Sequence, residues 1–118
     1  MTVNLEKRSY QFALDTLGLL RPVRFDNVSS ILVRQLIRSS TSVGANIAEA
    51  RAGSSKKDFI NFYHHALKSA NETKYWLSLL KDSGCSNQRN TEPLQDEISQ
   101  ISKMLGKSIV TMKARAKP

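Results

Sequence analysis

The sequence predicts an all-α fold, an up-down-up-down antiparallel four-helix bundle, on three observations. Apolar residues recur at steps of three and four through nearly the whole chain. No run alternates apolar and polar residues between turn signals, and only three short breaks interrupt the helical pattern. Short connections make successive helices antiparallel neighbours, which is the topology of a bundle. At 118 residues the chain is read as one domain, 1–118, able to bury roughly two-thirds of the surface that its unfolded form exposes.

The first helix is expected over about residues 4–20. Asn4 stands as its N-cap, and Leu5, Phe12, Ala13, Thr16 and Leu20 form the inner side. Tyr10, Leu14 and Leu17 adjoin them, and Pro22 ends the helix. The second is expected over about 28–52, with Gly53 as its stop. Along it Leu32, Leu36, Val43, Ile47 and Ala50 trace an apolar stripe, while Ser39, Ser40, Gly44, Ala45 and Ala48 keep the cylinder thin enough for a neighbouring backbone to approach.

The third helix, about 55–83, opens on Ser55 as N-cap with Asp58 three residues later, a capping-box-like pair whose carboxylate suits the positive end of a helix. Phe59, Phe62, Tyr63, Ala66, Ser69, Ala70, Thr73, Trp76, Leu77 and Leu80 carry its packing face, and Ser83 and Gly84 end it. The fourth, about 92–115, follows the polar SNQRNTE loop. It takes Pro93 near its first turn, where proline is tolerated, and packs through Leu94, Ile98, Ile101, Leu105, Ile109 and Met112. The closing ARAKP is expected to fray. Leu36, Ile47, Phe59, Ala66, Leu77, Ile101 and Leu105 are the expected core.

The second helix also carries polar residues at helical spacing: Arg38, Ser42, Asn46, Glu49 and Gly53 fall on one face. Ser and Asn are mediocre inside helices, so a run of them is easier to understand if their side chains have partners. The expected network pairs Arg38 with Glu49 or Glu72, and Asn46 with Ser42 or Ser69. The alternative is the solvated side of an amphipathic helix.

The segment QLIRSSTSVGANIAEA, followed by SSKKDFINFYHHALKSANETKYWLSLLKDSG, resembles the four-helix-bundle family of 23S rRNA intervening-sequence proteins. Arg38, Ser39, Ser42, Ala45, Asn46, Ile47 and Glu49 match its first block. Ser55, Lys56, Lys57, Asp58 and Phe59 match the second, and Ser69, Glu72, Thr73, Tyr75, Trp76 and Leu77 the third. Ala48, Ala50, His64 and His65 depart from the usual pattern. The resemblance, over roughly residues 5 to 115, implies the bundle and a ring-shaped homo-oligomer, usually a pentamer. It implies no settled activity. The accessory protein of diversity-generating retroelements, a basic ring that binds RNA and a reverse transcriptase, is a distant relative.

Charge narrows the function. The formal net charge is +8 and the isoelectric point about 9.9, and the excess is uneven. Residues 21–57 hold seven basic residues against Asp26 and Glu49, and residues 103–118 hold Lys103, Lys107, Lys113, Arg115 and Lys117 with no acid. Such asymmetry points to a polyanionic partner. The function implied by this charge together with the resemblance is a noncatalytic oligomeric module that binds structured nucleic acid, RNA above all, through phosphate contacts from Arg34, Lys56, Lys57, Lys113 and Arg115. Arg34, Arg38, Lys56 and Lys57 are expected to cluster around the hairpin between helices two and three, with Arg38 assigned to the internal network. Aromatic residues are not interleaved with these cations, so backbone and shape recognition is expected rather than base readout. The alternative is an assembly scaffold for an acidic protein partner.

Other classes fit poorly. Cys85 is the only cysteine, and Glu-x-x-His, the di-iron signature of bundles, is absent, so neither a metal nor a cofactor is expected. No serine has a convincing His and acid companion, and no Gly-rich phosphate loop occurs; the chain is read as no enzyme. Neither a signal-peptide pattern nor a membrane-length apolar run is present, so a cytoplasmic protein is expected. A basic helix lying on a membrane through 103–117 is less economical than the core seam. Self-association is expected because Val33, Ile37, Gly44 and Ala48 lie off the main stripe of helix two, where a partner chain would cover them.

Overall fold

The computed structural model describes residues 5–23, 26–85 and 88–116. Four helices account for nearly all of them: α1 (Leu5–Leu20), α2 (Asn27–Arg51), α3 (Lys56–Asp82) and α4 (Gln88–Ala116), with no strand among the described residues. Each helix packs on two others in the cyclic order α1, α2, α3, α4, and the diagonal pairs stay apart. Contacts across each seam run in opposite chain directions. The start of α1 meets the end of α2 through Glu6 and Arg51, and Ser29 near the start of α2 meets Cys85 beyond the end of α3. The result is an antiparallel rod of 53 × 22 × 19 Å.

Local chemistry sets the helix ends. Asp26 caps α2 by accepting the Ser29 N–H at 2.7 Å, and Ser55 caps α3 by accepting the Asp58 N–H at 3.1 Å. Gly84, at φ 84°, takes the left-handed conformation just beyond α3 that favours glycine. Between the four seams Phe12, Leu36, Val43, Ile47, Ala66, Ala70, Leu77, Leu80, Ile98, Ile101 and Leu105 are closed to solvent. Alanine at the middle of α3 leaves room for the larger residues of α2 and α4.

Several expectations are corrected. Phe59, expected in the core, is only half-buried in the first turn of α3, its ring 4.7 Å from that of Tyr63. The closed seam of α3 begins further on, at Ala66. Phe62, Tyr63 and Trp76 are likewise half-buried along its flanks. Val33, expected off the main stripe of α2, is a core residue at 2% exposure. Gly53 does not stop α2 by a left-handed turn, because its φ is not positive and Ala52, the C-cap, is right-handed helical. Gly53 is there for space: a Cβ would meet the Ala50 carbonyl oxygen at 3.1 Å and Asp58 Cβ at 3.3 Å.

The fourth helix begins at Gln88, inside the stretch expected to be loop, which puts Pro93 within the helix. Buried Thr91 and Leu94 anchor this early turn to the core, which offsets the N–H that proline lacks. The helix also continues through Ala114, Arg115 and Ala116, expected to fray. Asn4, the expected cap of α1, lies outside the described residues.

Candidate nucleic-acid interface

The antiparallel packing of α3 and α4 brings the first turn of one against the last turn of the other. Lys56 and Lys57 therefore meet Lys113 and Arg115 around a single pocket of about 510 Å³, whose wall is completed by Ile60 and Asn61. All four cationic residues are exposed. Lys113 and Arg115 sit at a helix C-terminus, where positive charge is favoured, but Lys56 and Lys57 occupy a helix N-terminus, where the macrodipole disfavours it. Asp58, the acid in the first turn of α3, is engaged locally: its carboxylate accepts the Ser54 hydroxyl at 2.8 Å. Four like charges converging at one end of the rod make a site suited to a phosphate-bearing ligand.

Arg34 does not belong to this cluster. It is exposed on α2, roughly 25 Å along the helix from Arg51 at 1.5 Å per residue. Arg38 is likewise distant, so the expected grouping of Arg34 and Arg38 with Lys56 and Lys57 is corrected. The length of α2 separates them, and the charges that do converge come from α4.

Arg38 instead spans the α2–α3 seam. Its guanidinium donates to the Glu72 carboxylate and, at 2.9 Å, to Gln35 Oε1. The Trp76 indole N–H donates to the same Glu72 carboxylate at 3.0 Å. The indole first, and the guanidinium with it, hold the Glu72 carboxyl below the usual carboxylate range. At the next residue of each helix, on the inner side of the seam, the buried hydroxyls of Ser39 and Thr73 are hydrogen-bonded at 3.0 Å. The other ladder residues turn back to their own helices. Ser42 Oγ donates to the Arg38 carbonyl at 2.7 Å, and Asn46 Nδ2 donates to the Ser42 carbonyl at 2.8 Å. Ser69 takes part through its carbonyl, which accepts from Thr73 at 2.7 Å, while Glu49 is exposed. The ladder is thus mostly intrahelical, and Trp76 is the member that the spacing of polar residues did not reveal.

A second concavity, about 1230 Å³, runs along the outer side of the α1–α2 seam. Ala13, Leu14 and Leu17 line it from α1, and Gly44, Ala45 and Ala48 from α2. Tyr10 and Leu14, read from sequence as adjoining the core, are 67% and 46% exposed here. The helices approach closely because Gly44 has no side chain: a Cβ would lie 3.3 Å from Ser9 Oγ. Among the described residues no group of three His, Cys, Asp or Glu side chains is placed to hold a metal ion, and no helix is long and apolar enough to cross a membrane.

The family model described as 23S rRNA-intervening sequence protein matches residues 2–107. A crystal structure of a protein of unknown function from the S23 ribosomal protein family of Bacteroides thetaiotaomicron is 34% identical, with a TM-score of 0.79 over 89% of this chain and 97% of that one. No curated protein matches the chain.

Proposed function

The chain belongs to the 23S rRNA-intervening sequence protein family, and we propose that it is a noncatalytic, cytoplasmic module that binds structured RNA through phosphate contacts. The observation that carries this reading is the convergence of Lys56, Lys57, Lys113 and Arg115 around one pocket. Two of these cations sit against the α3 macrodipole, an arrangement that an anionic ligand relieves. Arg34 supplies a separate, outlying contact.

Four phosphate charges neutralised correspond to a salt slope of about −3 to −3.6, so one protomer loses roughly 50- to 150-fold in affinity between 50 and 200 mM salt. Repetition in a homo-oligomer raises both affinity and slope. The apolar α1–α2 groove is the surface that a neighbouring copy covers, and a head-to-tail contact that closes gives a ring, for which a pentamer is the expected size. The test is retention of structured RNA at low salt by the protein and by Lys57→Glu/Lys113→Glu. Loss of retention with unchanged helicity supports the reading; equal retention removes the pocket from it. If neither protein retains RNA, an assembly scaffold for an acidic protein becomes the better account.

A further inference from the structure

The charge of the basic pocket is concentrated. A strand tracked along its backbone needs cations spread in a row, one per phosphodiester, each phosphodiester carrying one negative charge. Here Lys56 and Lys57 of α3 and Lys113 and Arg115 of α4 line one pocket where the start of α3 meets the end of α4. Farther back along α4, Lys103 and Lys107 are also exposed, outside the pocket. A phosphate monoester at a strand end carries about −1.5 to −2 at neutral pH and presents three acceptor oxygens, the charge density that such a cluster matches. Ile60 and Asn61 complete the pocket wall. They offer an apolar surface and a carboxamide with two donors and an acceptor, which suit a sugar or a base edge.

We propose that this pocket binds the phosphorylated end of a nucleic-acid strand, with the terminal phosphate monoester on the four cations and the terminal nucleoside against Ile60 and Asn61. Exposed Lys107 and Lys103 on the same helix are available to the adjoining phosphates. The proposal rests on the nucleic-acid reading of the same site and adds the part of the strand that is selected.

The experiment measures equilibrium binding of one oligoribonucleotide sequence in four forms: 5′-phosphorylated, 3′-phosphorylated, hydroxyl-ended and circular. At about 100 mM salt and neutral pH, one phosphorylated form binds about fivefold or more tightly than the hydroxyl-ended and circular forms, the scale of one to two added charges facing surface cations. Which form wins identifies the end. The preference shrinks near pH 5.5, where the monoester loses a charge, since its second pKa is about 6. It disappears in Lys57→Gln/Lys113→Gln. Equal binding of all four forms overturns the proposal and leaves the nucleic-acid reading standing, whereas no binding of any form removes both. A preference unchanged in the double variant also overturns it, as does inorganic phosphate that competes as well as the phosphorylated strand, since the pocket is then a plain anion site.

Discussion

Ser39 and Thr73 join α2 to α3 by a 3.0 Å hydrogen bond between two hydroxyls that are closed to solvent. Such a bond adds little net stability, but a lone buried hydroxyl is costly, so the pair fixes the register of the two helices. Thr73→Val keeps the shape and leaves Ser39 Oγ with the Leu36 carbonyl at 3.4 Å, a marginal contact. The single change costs about 1–3 kcal/mol. Ser39→Ala/Thr73→Val recovers part of that loss, because neither hydroxyl remains. Urea unfolding of the wild type, Ser39→Ala, Thr73→Val and the double variant checks this, and strictly additive effects would show that the hydroxyls do not couple.

The Glu72 carboxylate accepts from Trp76 and Arg38 and is held below its ordinary range. A carboxyl whose folded value is depressed stabilises the fold above its unfolded value of about 4.3, and that contribution is lost as pH falls through the folded value. The side chain is 35% exposed, which screens the interaction, so Glu72→Gln costs about 1 kcal/mol or less at pH 7. Thermal midpoints of the two proteins differ at neutral pH and converge below about pH 4. A difference that stays constant down to pH 3 contradicts the assignment.

Two helical glycines differ in what surrounds them. At Gly106 a Cβ meets nothing within 4 Å, whereas at Gly44 it meets Ser9 Oγ at 3.3 Å. Gly106→Ala therefore stabilises the protein by about 0.5–1 kcal/mol through helix propensity alone. Gly44→Leu forces α1 away from α2 and destabilises by about 1–3 kcal/mol. Calorimetric midpoints that move in the same direction for both variants would contradict the close approach of α1 and α2.

The helices were legible because periodicity is a local signal. The apolar steps through Leu94, Ile98, Ile101, Leu105 and Ile109 give α4 its closed seam, and the Ser55 cap follows from one residue type before a helical run. Burial at the helix ends was not legible. Phe59 has the spacing of a core residue, yet it lies in the first turn of α3, beyond the closed core that begins at Ala66. The start of α4 depends on Thr91 and Leu94 finding tertiary partners that outweigh a polar, proline-containing stretch. Charge runs in the sequence identified the basic residues, but grouping them by chain proximity linked Lys56 to Arg34 and Arg38. The fold links it to Lys113 and Arg115 instead. The α1–α2 groove was hidden for a similar reason, since Tyr10 and Leu14 have core-like identities on a helix whose closed face is spent on Phe12, Thr16 and Leu20.

Self-association through the α1–α2 groove makes its own prediction. Leu14→Asp and Ala48→Glu each place a carboxylate on the surface that we propose a second copy covers, while both positions are exposed in the single chain. Helicity is retained and the assembled species dissociates, with a dissociation constant raised roughly tenfold or more for an unpaired charge buried at an interface. Light scattering at micromolar concentration reads the outcome. A protein that is monomeric before any substitution contradicts the assembly.

Reversing the two cations of the α3 first turn tests the central claim most directly, because it separates binding from folding. Lys56→Glu/Lys57→Glu replaces charges that oppose the helix macrodipole with charges that complement it, so at low ionic strength the thermal midpoint holds or rises by about 2–4 °C. An RNA-binding titration at 50 and 200 mM salt should show wild-type affinity falling by at least about 50-fold between the two conditions, with binding by the reversed variant lost at both. Wild-type binding that is absent at 50 mM salt, or indifferent to salt, contradicts the account.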